Sequence, residues 1–293
     1  MSDPAQALRD FKPAKEFFIG IDSDGCIFDS MEIKHKECFT PMFIKYFRLQ
    51  AVSKYAREVW EFVNLYSKDR GANRFPALSK AVRLLGARPQ VKARGVTMPD
   101  ITGLDEWIQR ETKLGNATLN AEVQRGNKSL EPIQAWSDAV NRAVQDIVHG
   151  VPPFPLVRES LEKLNARADA MCISQTPADA LKREWAEHGL DRFVKMIAGQ
   201  EMGTKTEHIS FAAKNKYPPA KILMIGDAPG DFKAAKGNGA LFFPINPGGE
   251  EQSWERFFGE ALDRFFNGSY AGDYEKTLVT EFDACLPEKP GWN

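Results

Sequence analysis

Phe17-Phe18-Ile19-Gly20-Ile21-Asp22-Ser23-Asp24-Gly25 is the stretch on which the reading of this chain turns. Five apolar or small residues stop abruptly at two aspartates and a glycine. A run that short, bounded by turn formers, reads as a strand buried on both faces. From Met31 to His149 the pattern changes: apolar residues recur at helical spacing, as in Phe39, Phe43, Phe47 and Val59, Phe62, Val63, Tyr66. This segment reads as an all-helical insert of about 120 residues, a domain in size. The three prolines of Gly150-Val151-Pro152-Pro153-Phe154-Pro155 then suit a semi-rigid connector.

Beyond the connector, strand and helix alternate. A helical stripe of Val157, Leu161, Leu164 and Ala168 precedes the strand-like Ala170–Ile173. A helix through Ala178, Leu181 and Trp185 follows, then a strand over Phe193–Ala198, a helix over Ile209–Ala213, and a strand over Ile222–Ile225. A helix over Phe232–Lys236 and a strand over Leu241–Ile245 complete the alternation. Short strands separated by helices of roughly 10–15 residues predict parallel βαβ units and an α/β, Rossmann-like, doubly wound sheet. The expected division is 1–30 with 150–293 as the core and 31–149 as the helical insert. After Pro247, the aromatics Trp254, Phe257, Phe258, Phe265 and Phe266 fall on one helical face with Leu262, and are expected to pack on the core.

Composition narrows the function classes. The chain has 293 residues, 39 Lys+Arg against 40 Asp+Glu, and a net charge of −1, so no global field attracts a nucleic-acid backbone. No apolar run approaches the roughly 20 residues that span a bilayer. The first ten residues do not resemble a signal peptide. The four cysteines, Cys26, Cys38, Cys172 and Cys285, have neither zinc-site nor disulfide-framework spacing. The expectation is a cytoplasmic protein with reduced thiols, no nucleic-acid or membrane partner, and an oligomeric state the sequence does not define.

In an open parallel sheet, ligands bind beyond the carboxyl ends of the strands. The polar residues at those ends are Asp22 and Asp24, then Ser174, Gln175 and Thr176, then Lys205, then Asp227 and Asp231. Carboxylates suit Mg²⁺, while an ammonium and backbone N–H groups suit phosphoryl oxygens. A calcium loop is excluded by spacing. An EF-hand needs Gly at position six and Glu at twelve, whereas counting from Asp22 the Gly is fourth and the twelfth residue is Ile33.

These four segments resemble, in order, the motifs of the haloacid dehalogenase superfamily. The first is Asp22-Ser23-Asp24-Gly25-Cys26-Ile27-Phe28-Asp29, the second Ser174, the third Lys205, and the fourth Gly226-Asp227 through Asp231. The resemblance implies a Mg²⁺-dependent phosphatase acting on a small phosphorylated metabolite, with the insert as a cap of the C1 kind. Asp22 is then the nucleophile and Asp24 the acid and base. Asp22, Asp227 and the main-chain carbonyl of Asp24 hold the metal. Ser174, the Gln175 N–H and Lys205 bind phosphate, and Asp231 orders the metal's surroundings or Lys205.

Plainer readings stand beside these. Thr176, just before Pro177, reads as a helix cap, which leaves Ser174 for phosphate. Lys214 or Lys216 is the fallback for Lys205. Arg70 and Arg74, in the most polar break of the insert, are candidate substrate contacts or members of a solvated loop. A phosphomutase uses the same core residues, and a catalytically idle phospho-ligand-binding protein is the third reading. The aspartate at position 24 disfavours a dehalogenase or a phosphonatase, given what the resemblance implies for that position.

Overall fold

The computed structural model describes residues 3–292. Met1, Ser2 and Asn293, which the expected boundaries include, lie outside the described residues. Residues up to Ser30 together with Gly150–Leu286 form one compact unit. Met31–His149 together with the residues from Pro287 onward form a second.

The first unit is built on five parallel strands: β1 (Phe17–Ile21), β2 (Ala168–Ile173), β3 (Met196–Ala198), β4 (Ile222–Gly226) and β5 (Leu241–Pro244). Their order is β3-β2-β1-β4-β5, so the strand that carries Asp22 lies at the centre. Strand alternation sends Phe17, Ile19 and Ile21 into a core with Cys172, Ile225 and Phe243 on one face. Phe18 goes into a second core with Met171, Ile173 and Met224 on the other. Burial on both faces is why β1 has no polar residue before its end. Gly20 belongs to the second face, where a Cβ would come within 2.6 Å of Ile173 Cδ1, so the close strand packing needs a glycine there.

Several expected boundaries move. Ala168 opens β2 instead of ending a helix, because the preceding helix stops at Leu164. Phe193 lies in a 3-10 turn, Asp191–Phe193, and β3 begins only at Met196. The aromatic tail is helical but not uniform: a π-helical stretch, Phe257–Ala261, interrupts it. The wider turn re-phases the buried face, so Trp254, Phe257, Leu262 and Phe265 are buried while Phe258 and Phe266 sit at its margin.

Among the described residues the regular elements of the second unit are all helices, around an aromatic core of Phe43, Trp60, Phe75, Trp107 and Trp136. The expected core boundary at 293 is corrected here. Trp292 packs edge-to-face on Phe62 at 5.2 Å and lies under the Arg88 guanidinium at 4.6 Å, inside the helical unit. Among the described residues no helix is long and apolar enough to cross a membrane.

One buried acid in the first unit serves the fold alone. Asp169 Oδ2 accepts from the Ala14 and Lys15 amides, each at 2.8 Å, and from Tyr217 Oη at 2.7 Å. This pins the segment that leads into β1. Tyr217→Phe removes one donor to a buried carboxylate and is expected to cost about 1.5–3 kcal/mol of stability. A urea melt that leaves the midpoint unchanged would show the hydroxyl to be dispensable.

Candidate active site

The ladder between β1 and β4 runs on past Ile21, since Asp22 N donates to Ile225 O at 3.0 Å. Asp22 therefore leaves the sheet at the carboxyl edge with its position set by the backbone. Ile21 pairs with Cys172 and with Ile225, which brings the loops after β1, β2 and β4 out side by side.

Lys205 joins them from the loop after β3. It is the first residue of the helix Lys205–Ala212, and a capping box fixes that helix start. Thr204 Oγ1 accepts from Glu207 N at 3.2 Å, and Glu207 Oε2 accepts from Thr204 N at 2.8 Å. From there Lys205 Nζ donates to Asp22 Oδ2 and to Asp231 Oδ1, each at 2.6 Å. The lysine is 16% exposed at its side chain and the two carboxylates are 7% and 0% exposed, so the triad is effectively dry. Asp231 is held from the other side by the Ala228 amide, at 3.1 Å from Oδ2. Gly226 makes room for it: a Cβ there would stand 2.4 Å from Asp231 Cβ and Cγ.

Asp227 completes the cluster. Asp22, Asp227 and Asp231 are buried and offer carboxylate oxygens within 4.8 Å of one another. Burial raises Asp22 to about 6, against the pull of Lys205 and with help from Asp227. Burial likewise raises Asp231 to about 6 against Lys205. Burial alone would lower Lys205, but Asp22 and Asp231 outweigh it and its pKa is raised. Three carboxyl groups thus gather beside the Lys205 ammonium. Their hard oxygen donors fit a divalent cation such as Mg²⁺.

Asp24 is arranged separately. Its Oδ2 accepts from Thr176 Oγ1 at 2.8 Å and its Oδ1 from Ser30 Oγ. Ser23 between the two aspartates is fully buried, accepting from Trp185 Nε1 at 3.0 Å and donating to Glu184 Oε2 at 3.3 Å. Ser174 is buried at the end of β2, where its amide donates to Ala198 O at 3.0 Å and its Oγ accepts from Thr176 N at 3.3 Å. The Gln175 side chain donates from Nε2 to Gly203 O at 2.9 Å, tying the loop after β2 to the approach to Lys205. Lys216 is far from this work. Its ammonium caps the carbonyls of Leu8, Arg9 and Phe11. Burial pushes the Cys26 thiol well up, consistent with an inert neighbour of the site.

Three expectations change. Thr176 is not a helix cap: the helix Ala178–Glu187 has Pro177 at its cap, and the Thr176 hydroxyl goes to Asp24. Arg70 is neither solvated nor presented to solvent. It is 4% exposed and donates to Leu65 O at 2.9 Å, within the helical unit. Arg74 donates to Ser137 Oγ at 3.1 Å and Asn141 Oδ1 at 2.7 Å and lies over the Phe39 ring, so its guanidinium also serves that unit's packing. Ser23, Ser30, Glu184 and Trp185 are neighbours of the site for which the sequence assigned no site role. The Thr204–Glu207 spacing was the one available signal, and it marks where the Lys205 helix begins.

A family model described as haloacid dehalogenase-like hydrolase matches residues 107–244, which takes in Ser174, Lys205, Asp227 and Asp231 and stops short of Asp22. Over that stretch the chain is similar to the haloacid dehalogenase-like hydrolases. No curated protein matches it significantly. Among solved structures it is similar to a haloacid dehalogenase-like family hydrolase from Streptococcus pneumoniae, at 15% identity over 82% of this chain and 90% of the other, TM-score 0.44. It is also similar to a candidate haloacid dehalogenase-like hydrolase from Bacteroides fragilis, at 15% identity over 82% and 93%, TM-score 0.49. A predicted phosphoglycolate phosphatase from Haemophilus somnus aligns at 14% identity over 79% and 86%, TM-score 0.44.

Two outcomes are expected from this geometry. Gly226→Ala displaces Asp231 and breaks its contact with Lys205. It should lower the melting temperature by several degrees, corresponding to the roughly 1–3 kcal/mol of an overpacked site, and an unchanged melt would show that the loop yields freely. The second concerns pH. Asp22 and Asp231 hold protons more tightly folded than unfolded, so their contribution to metal-free stability is full below about pH 4 and is lost as pH rises through about 6. A divalent cation needs them ionised. Mg²⁺ should therefore raise the melting temperature at pH 7.5 and have little effect at pH 5.0, and an equal rise at both would remove these carboxylates from the metal site.

Proposed function

We propose that this chain is a Mg²⁺-dependent phosphatase that hydrolyses a small phosphomonoester through an aspartyl-phosphate on Asp22, with the helical unit as its cap. The observation that carries the reading is Lys205, which donates at 2.6 Å to both Asp22 and Asp231 at the carboxyl edge of the central strand. A buried ammonium there orients Asp22 and leaves one more donor direction for a phosphoryl oxygen.

In this reading one oxygen of Asp22 attacks phosphorus and the bond to the ester oxygen breaks. Asp24 delivers a proton to that leaving oxygen. Asp24 then takes a proton from a water that attacks phosphorus, the Asp22–phosphorus bond breaks, and inorganic phosphate leaves. Ser174, through its hydroxyl, and Gln175, through its N–H, bind the transferring group together with Lys205. Asp22, Asp227 and the main-chain carbonyl of Asp24 would hold Mg²⁺, with Asp231 ordering Lys205 beside them. When bound, the cation offsets the repulsion between a carboxylate and an anionic ester. The buried state of Asp22 supports the same chemistry, because a poorly solvated carboxylate has less hydration to shed before attack.

The test is phosphate release from a small aryl phosphate. Wild type is expected to turn over only with Mg²⁺, Asp22→Asn to lose more than about a thousand-fold, and Asp24→Asn to lose about 10²–10⁴-fold. Turnover by Asp22→Asn at the wild-type rate would overturn the nucleophile assignment.

A further inference from the structure

Asp24 and Thr176 belong to loops that leave neighbouring strands in step. Ile21 of β1 is paired with Cys172 of β2. Three residues beyond Ile21 comes Asp24, and four beyond Cys172 comes Thr176, at a sheet edge where both chains emerge in the same direction. Their side chains meet there, with Thr176 Oγ1 donating to Asp24 Oδ2 at 2.8 Å. The same segment after β2 reaches the β1 loop a second time, through the Trp185 Nε1 bond to Ser23 at 3.0 Å. The Ser23 contact fixes the loop backbone between the two aspartates, and the Thr176 contact fixes the direction of one carboxylate.

We infer that Thr176 is a positioning residue for Asp24, aiming its carboxyl group for proton transfer to the leaving oxygen. This rests on the phosphotransfer reading above. The physical reason is geometric. A carboxylate at the end of a short side chain has two free torsions. The Ser30 hydroxyl holds Oδ1 from six residues along the same loop, a tether that moves with the loop. Thr176 holds Oδ2 from the loop after β2, and this second bond ties Asp24 to the segment that also carries Ser174. Proton transfer requires the donor within hydrogen-bond reach of the ester oxygen, so loss of the tie weakens the acid without removing it. The threonine methyl matters less than the hydroxyl, which makes serine a fair substitute.

The experiment compares wild type, Thr176→Val and Thr176→Ser on an alkyl phosphate and on p-nitrophenyl phosphate, reading kcat/KM, which covers the steps through ester cleavage. An alkoxide leaves poorly and needs the acid, whereas p-nitrophenolate leaves with little help. Thr176→Val should lose ~10-fold on the alkyl ester and under ~3-fold on the aryl ester, while Thr176→Ser stays within about 2-fold of wild type on both. Thr176→Ala replaces the valine variant if that one does not fold. Equal losses on the two esters would reduce Thr176 to a structural role, and no loss on either would remove it from the site; both overturn the inference. Wild-type turnover that survives Asp22→Asn would overturn the phosphotransfer reading itself, and the positioning role with it.

Discussion

The buried ammonium of Lys205 between Asp22 and Asp231 is the interaction on which the rest of this site depends. Each carboxylate alone would be costly to bury at the end of a strand. Together with Asp227 they would repel one another, and the Lys205 ammonium offsets that repulsion at Asp22 and Asp231. Burial already raises Asp22 and Asp231 to about 6 despite Lys205. Taking the lysine away would push both toward protonation, and the acids would cease to be a nucleophile's environment or a cation's. The gathering of three acids at one edge is therefore a property of the folded core itself.

That arrangement constrains the backbone around it more than the side chains within it. Asp231 occupies the space over Gly226, where a Cβ would lie 2.4 Å from it, so the strand that delivers Asp227 must end in a residue without a side chain. β1 is likewise flanked on both sides in register, and its ladder with β4 runs on to Asp22 itself. The nucleophile candidate is thus held by hydrogen bonds of the sheet, while its partners arrive on loops. Rigid strand ends and short loops are the usual way an α/β sheet presents polar groups at its carboxyl edge.

Much of this was legible in the sequence because β1 is short, apolar and ends in acids. The second and fourth motifs also follow strands whose hydrophobic runs are unambiguous. Legibility failed where tertiary contacts reassign a local signal. Thr176 before Pro177 has every mark of a helix cap, yet its hydroxyl faces Asp24 because the β1–β2 register brings the two together, and no local pattern encodes that register. Phe193 looks like strand but is spent on a 3-10 turn, as the Asn165 amide takes its carbonyl at 2.9 Å. In the tail, a single π-helical turn shifts which aromatics are buried, an insertion that a regular 3.6-residue period does not register. Lys205 was the opposite case. It is one of many lysines, with Lys214 and Lys216 as alternatives, yet Thr204 and Glu207 spell a capping box that fixes its place at a helix start.

The arginines of the helical unit carry a different lesson. Arg70 and Arg74 lie in its most polar stretch, where a sequence reader looks for groups that meet an anionic substrate. Both are consumed by packing, Arg70 on the Leu65 carbonyl at the end of a helix and Arg74 on Ser137, Asn141 and the face of Phe39. Arg88, in no recognisable motif, is 5% exposed, paired with Glu58 at 2.6 Å and stacked against Tyr55 and Trp292. A unit whose core is crowded with Trp and Phe has large π faces to cover, and a guanidinium covers them while satisfying stray carbonyls. Arginine in such a setting reports on aromatic packing before it reports on ligands. The charge that points to chemistry in this chain is instead the acidic cluster that the sheet gathers around Lys205.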